Sequence, residues 1–126
     1  MLESVPVWNG LLVLNYHRIG SPNGSLFDHD LWSATQDDFD EQVRLLAANF
    51  DVIGLDDLRP ALDDLCAGAR RSWQSRRFVM ITFDDGYRDN FELAFPVLES
   101  HGVPGVFFIT SGFLDSGRLA WWDEIA

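Results

Sequence analysis

The chain has no lysine, one cysteine, three histidines and no long apolar run, and each shortage excludes something. A magnesium-dependent phosphate site built on a glycine-rich loop lacks its usual lysine donor. A lone Cys66 excludes an internal disulfide, so nothing demands an oxidising compartment. Set among Leu62, Leu65 and Ala67, it reads as a small buried hydrophobe. No stretch approaches the length of a membrane span. The first twenty residues show no basic leader followed by an apolar core and a cleavage site, so a cytoplasmic location is the default expectation. Positive charge is scarce too. A formal charge of −11 argues against nucleic acid, whose binding needs a basic face.

What is present suffices for one domain. The 126 residues carry enough apolar content for a real core. The richest stretch is Phe78-Val79-Met80-Ile81-Thr82-Phe83, which runs straight into Asp84-Asp85-Gly86-Tyr87. A segment apolar on both faces reads as a strand buried in a parallel sheet. Its abrupt end in two carboxylates falls where parallel α/β architectures place their chemistry, at the carboxyl ends of strands. Side chains alternate along a strand, so Asp84 and Asp85 point opposite ways unless the backbone turns. Gly86 permits that turn, and both carboxylates then face one cavity. An Asp-Gly pair is equally a plain turn signal, and the residues alone leave both readings open.

The remaining elements follow from pattern. Leu11 to Leu14 reads as a first buried strand, ending at Asn15-Tyr16-His17. His17 then sits at the same rim as the Asp pair, either as a structural histidine or as part of a site. Residues 20–34 read as a surface loop. Thr35 and Asp38 open a helix whose buried stripe is Phe39, Val43 and Leu46. Residues 50–53 form a second strand ended by Gly54. Asp56 or Asp57 caps a helix with Leu58, Leu62 and Leu65 buried, Pro60 in its first turn, Asp63 and Asp64 in solvent and Gly68 at its end. From Gly68 to Arg77, four arginines mark an exposed connector. Pro96 separates residues 89–94 from a helix that it starts itself and that Gly102 closes after His101. His101 reads as a partner of that helix's dipole. Gly105 to Thr110 is the fourth strand, completing a right-handed parallel βαβ unit. Ser111-Gly112 leaves the sheet, and Trp121-Trp122 opens a last segment.

Thr82-Phe83-Asp84-Asp85-Gly86-Tyr87 resembles the first signature of the polysaccharide deacetylases, also called carbohydrate esterase family 4 or the chitooligosaccharide deacetylase homology domain. Leu14-Asn15-Tyr16-His17-Arg18-Ile19, Val103 to Ile109, and Trp121-Trp122-Asp123 agree with it in order and spacing. Together they look like the branch found in exopolysaccharide gene neighbourhoods. The resemblance implies an α/β fold: the N-terminal portion, about four β/α units, of a deformed (β/α) barrel, with residues 1–126 a partial deacetylase domain. It implies hydrolysis of an N-acetylated or O-acetylated polysaccharide or oligosaccharide, at a carbon–nitrogen bond that is not a peptide bond in the first case. By the same resemblance Asp84 is the general base, Asp85 a ligand of a divalent metal (zinc above all), and the Tyr87 backbone N–H an oxyanion donor. His17, Trp121 and Trp122 are the substrate-side candidates.

The chain also departs from that family. Its histidines, His17, His29 and His101, are scattered singly, so the two His ligands expected after the fourth strand are missing. The Arg-containing motif that orients the base and the later Leu-x-His segment are missing too. Gly105-Val106 stands where the family more often has Ala-Thr. The chain alone is therefore expected to have little or no activity. Open sheet edges invite self-association. The rival reading is a degenerate protein that binds glycan through Trp121, Trp122 and Tyr87 without cleaving it.

Overall fold

The architecture, seen in a computed structural model that describes residues 9–26, 29–68 and 77–125, is set by one strand. Residues Phe78 to Phe83 are all buried, so this strand must be covered on both faces and paired on both edges. It is β5, Arg77–Phe83, in a parallel four-stranded sheet. β1 (Gly10–Tyr16) pairs with its full length, from Gly10↔Arg77 to Tyr16↔Phe83. The opposite edge is divided: β4 (Asp51–Val52) takes the lower half at Phe78 and Val79, and β6 (Val106–Phe107) the upper half at Thr82 and Phe83. A separate parallel pair joins β2 (Arg18–Ile19) to β3 (Trp32–Ala34), so the expected loop over residues 20–34 ends in a strand.

Alternation along β5 sorts the core into two layers. Val79, Ile81 and Phe83 face helix α1 (Gln36–Asn49) and helix α3 (Phe95–His101). Phe78 and Met80 face Ile53 and helix α2 (Leu58–Gly68), which meets them with Ala61. Phe83, wholly buried, stacks on Phe107 at 4.7 Å and meets Tyr16 and Phe39 at 5.5 and 5.7 Å. The expected stripe of α1 is the observed one, and Thr35 caps it by accepting from the Asp38 N–H at 3.1 Å. In α2 the stripe is Leu58, Ala61 and Leu65; Leu62 is exposed and Asp64 half-buried, a rotation that pattern alone did not resolve. Cys66 lies on that outer side and is exposed, which corrects its reading as a buried hydrophobe. The arginine-rich connector lies mostly outside the described residues.

Two further expectations are revised. Residues 89–94 and the Pro96 helix form one continuous ribbon, because Asn90–Ala94 is a π-helical turn in which the Phe95 N–H bonds to the Asn90 carbonyl. Pro96 falls in the first turn after it, where a missing N–H costs little. Gly102 closes the ribbon at φ 64°, bonding back to Leu98 and Glu99 as expected, while His101 Nε2 meets Asp40 Oδ1 of α1 at 2.9 Å. The fourth strand is shorter than Gly105 to Thr110. β5 ends at Phe83, so β6 runs out of partner at Phe107, and only the Phe108 N–H still reaches the Phe83 carbonyl, at 2.8 Å.

Gly105 owes its place to packing. A Cβ there would lie 2.6 Å from Leu98 Cδ1 and 3.3 Å from the Phe107 ring. Leu98 is itself 2% exposed, so the clash has little room to relax. Gly105→Ala is expected to lower stability by about 1–3 kcal/mol, as overpacked cores do. The check is a fall in the urea midpoint at unchanged slope. A variant more stable than the parent would show that the α3–β6 gap holds a methyl.

Candidate active site

Because Tyr16 pairs with Phe83, β1 and β5 end level, and the residues at their carboxyl ends meet. The Asp84 N–H still bonds to the Tyr16 carbonyl at 3.0 Å, so the ladder continues one residue past the strand. The Thr82 hydroxyl lies 3.0 Å from Asn15 Oδ1 and 3.1 Å from the Leu14 carbonyl. With Oδ1 as the acceptor, the Asn15 amide turns its Nδ2 toward Asp84, donating to Oδ2 at 2.9 Å. A neutral donor thus fixes one oxygen of the Asp84 carboxylate.

The chain then turns sharply. Asp85 and Gly86 both take left-handed backbone, at φ 70° and 72°. For Asp85, a residue with a Cβ, that conformation costs about 1 kcal/mol. The turn brings its carboxyl within electrostatic reach of Asp84, Asp123 and His17. Burial pushes the Asp85 carboxyl above its usual range, Asp84 and Asp123 add to the rise, and His17 opposes it. Gly86 cannot carry a side chain cheaply, since a Cβ would meet Ile109 at 3.0 Å.

Tyr87 follows, at the head of the ribbon that begins with Arg88. Its hydroxyl donates to Asp123 Oδ2 at 3.0 Å and accepts from Trp122 Nε1 at 2.8 Å. Burial is the first cause that pushes this phenol up to about 12, with the Asp123 carboxylate adding to it. Trp122 and Asp123 belong to the short helix α4 (Trp121–Glu124), so the last described segment reaches back onto the turn.

Beneath Tyr87 lies an ion pair that sequence reasoning missed. Arg18 Nε meets Asp89 Oδ2 at 2.9 Å, with the two side chains 13% and 9% exposed, and Asp89 Oδ1 accepts from the Ile19 N–H at 3.0 Å. The Arg18 guanidinium is sandwiched between the rings of Trp32, at 4.2 Å, and Tyr87, at 4.6 Å. Asn90, oriented to satisfy its amide, donates to the His17 carbonyl at 2.8 Å.

Asp84, Asp85, Tyr87 and His17 therefore lie together at one rim of the sheet, and Trp122 joins them through Tyr87. Trp121 does not: it is 65% exposed and touches the group only edge-on through Trp122. The polar atoms of Tyr87 and Trp122 are taken up by each other and by Asp123, and of the three rings proposed for sugar binding Trp121 is the most exposed. Asn15, Arg18, Trp32, Asp89 and Asp123 were not foreseen. Asn15, Arg18 and Asp123 had a signal, since they sit in the same short motifs as His17 and the Trp121-Trp122 pair. The other histidines are engaged elsewhere, His29 near the Ser25 carbonyl and His101 on Asp40. Among the described residues, no group of three or more His, Cys, Asp or Glu side chains has the geometry to hold a metal ion.

A parallel sheet flanked by helices, with an acidic turn at the carboxyl end of its central strand, defines part of a distorted (β/α) barrel. Residues 72–126 match the family model described as polysaccharide deacetylase. The chain is 31% identical over 99 residues to YxkH of Bacillus subtilis (strain 168), which carries the name of a polysaccharide deacetylase; the match spans 79% of the chain and 31% of that protein. It is 26% identical to a poly-beta-1,6-N-acetyl-D-glucosamine N-deacetylase of Staphylococcus aureus, across 94% of the chain and 42% of the relative. The solved structure of IcaB from Ammonifex degensii superposes with a TM-score of 0.60 at 27% identity, over 89% of this chain and 42% of that one. The Streptococcus pyogenes deacetylase PplD, solved in complex with acetate, shares the fold with a TM-score of 0.59, over 92% and 48%. The chain belongs to the polysaccharide deacetylase family. It spans less than half the length of these relatives.

Two measurements probe the site's scaffold. Asp89→Asn keeps an acceptor for the Ile19 N–H but leaves the Arg18 charge without its carboxylate, and is expected to cost about 3 kcal/mol in urea unfolding. A loss below about 1 kcal/mol would mean that the aromatic sandwich alone carries the guanidinium. The second is a phenolate absorbance titration. Tyr16, buried with its hydroxyl on Gln42 Oε1 at 2.7 Å, is raised like Tyr87. Both tyrosines should therefore ionise later in the folded chain than in urea. Since both folded values lie above the unfolded value of about 10, their contribution to stability is intact below that pH. For Tyr87 it is lost as pH rises through about 12.

Proposed function

We propose that this chain supplies the general base and oxyanion donor of a hydrolase that removes acetyl groups from a glycan. The observation that carries the reading is the Asp84 carboxylate, held by Asn15 at the carboxyl end of β5, one residue before a strained turn that ends in the Tyr87 amide. In this reading Asp84 takes a proton from the attacking water. Asn15 holds one carboxylate oxygen and leaves the other to act. The Tyr87 N–H, at the head of a helical ribbon, meets the negative charge that develops on the acetyl oxygen. The name of the Staphylococcus relative favours an N-acetylated glucosamine polymer as substrate.

The metal is a separate matter. Asp85 is the candidate ligand, with His17 near it, yet a catalytic zinc ordinarily takes three protein ligands. The described residues do not by themselves form that site. The missing ligands are assigned to the part of the barrel that the relatives have and this sequence does not. By itself the chain should then be nearly inactive. Self-association belongs to the same reading, supported by Val13 on β1 and by Phe108 and Ile109 past β6, each about half exposed.

The test is acetate release from N-acetylglucosamine oligomers, with zinc present. It uses this chain and a chimera that continues it with the Bacillus relative's barrel beyond the aligned region. Release by the chimera, lowered at least about a hundredfold by Asp84→Asn, is the expected result, with little or none from the chain alone. A folded, zinc-loaded chimera that releases nothing, or an Asp84→Asn form as active as its parent, refutes the assignment.

A further inference from the structure

We infer that the Tyr87 side chain is a positioning device for the turn that bears its own backbone amide. Trp122 and Asp123 clasp it from above and Arg18 supports it from below. The inference rests on the functional reading above only for the use to which the amide is put. The clasp itself is geometric.

Three contacts converge on one side chain. The ring lies on the Arg18 guanidinium at 4.6 Å, and Arg18 is itself fixed by Asp89 and by Trp32 on its other face. The hydroxyl is held twice, as donor to Asp123 Oδ2 and as acceptor from Trp122 Nε1. A phenol gripped at both ends leaves its Cα, and hence its amide, little freedom.

That restraint matters because of what precedes it. Asp85 and Gly86 are two consecutive residues in left-handed backbone, and Asp85 has no intrinsic preference for it over extended or right-handed forms. Such a conformation persists only where its surroundings over-determine it. On the upstream side the Asp84 N–H is tied to the Tyr16 carbonyl. On the downstream side the first side-chain anchor is the Tyr87 phenol. Release of that phenol should let the turn relax toward ordinary backbone, carrying the Asp85 carboxyl and the Tyr87 amide away from Asp84. Trp122 and Asp123 lie 35 and 36 residues further on, so the catalytic turn is completed by a segment remote in sequence.

The experiment is NMR on the 126-residue chain, in four forms, parent, Tyr87→Phe, Asp123→Ala and Asp123→Asn, with Trp122→Phe as a fifth form for assignment only. Carbon shifts of Asp85 and Gly86 read the left-handed turn, and core methyl shifts of Val79 and Ile81 read the fold. Exchange of the Trp122 indole N–H, assigned by its loss in Trp122→Phe, reads the clasp. Tyr87→Phe and Asp123→Ala are expected to move the Asp85 and Gly86 shifts toward random-coil values with the core methyls unchanged. In Tyr87→Phe the indole should exchange roughly fivefold faster, the loss of about one hydrogen bond. Asp123→Asn keeps an acceptor oxygen and should restore parent-like turn shifts. A purely structural role would move the core methyls or the unfolding midpoint and spare the turn. Turn shifts unaltered in both disruptive variants, or altered equally in Asp123→Asn, overturn the inference.

Acetate, as a mimic of the reacting group, separates this from the reading beneath it. A parent Tyr87 amide that acetate shifts, with the response weakened in Tyr87→Phe, supports both. A parent amide that ignores acetate, alongside turn shifts that behave as expected, supports the clasp and overturns the oxyanion role alone.

Discussion

A guanidinium with an aromatic ring on each face and a carboxylate on its edge is the joint on which the candidate site rests. Arg18 follows β1 by two residues, Trp32 opens β3, and Tyr87 and Asp89 flank the start of the helical ribbon. One side chain thus ties three chain segments together at the carboxyl ends of the strands. Arginine suits this place because its planar fork stacks and bonds at once, which lysine cannot do. Burying a charge is costly unless it is both paired and bonded, and here Asp89 is also anchored by the Ile19 N–H. A buried pair of this kind need not add net stability, but removing one partner from it is costly.

Above that joint, polarity is layered with some economy. Thr82 orients Asn15, Asn15 orients Asp84, and none of the three is charged except the last. Asp85 is treated differently. Burial first, and the Asp84 and Asp123 carboxylates after it, raise its affinity for a proton, against the opposing pull of His17. Two adjacent aspartates thus sit in different surroundings, one held by an amide and one partly buried beside other carboxylates.

Much of this was legible in the sequence, and the reasons are specific. β5 was plain because six successive residues, all apolar but Thr82, read as a strand buried on both faces. The Thr35 cap and the Gly102 stop were plain because each rests on local chemistry. The length of β6 was not, since it depends on where its partner ends. Nor was the face of α2, where Ala61 turns inward and Leu62 outward although leucine is the more apolar. Cys66 was misplaced for the same reason. The ion pair was invisible because Arg18 and Asp89 lie 71 residues apart and no pattern links them. The turn was half read: Gly86 announced a change of direction, and aspartate tolerates positive φ better than most residues with a Cβ, but the sequence alone does not say that Asp85 uses that freedom.

The wide turn at Asn90–Ala94 keeps two rows of residues in phase. Asp89, Leu93 and Val97, like Asn90, Ala94 and Leu98, recur every four residues, and all six face inward to some degree. An α-helix advances about 100° per residue, so eight residues at that spacing should slip about 80° around the axis. A segment with more residues per turn takes the slip back. The five π-helical residues act as a phase corrector, letting one rigid rod present Asp89 to Arg18 and Asn90 to the His17 carbonyl at its head, and an apolar pair to β5 near its foot. A deletion of one residue there would leave the rod helical and aim its two ends at different neighbours.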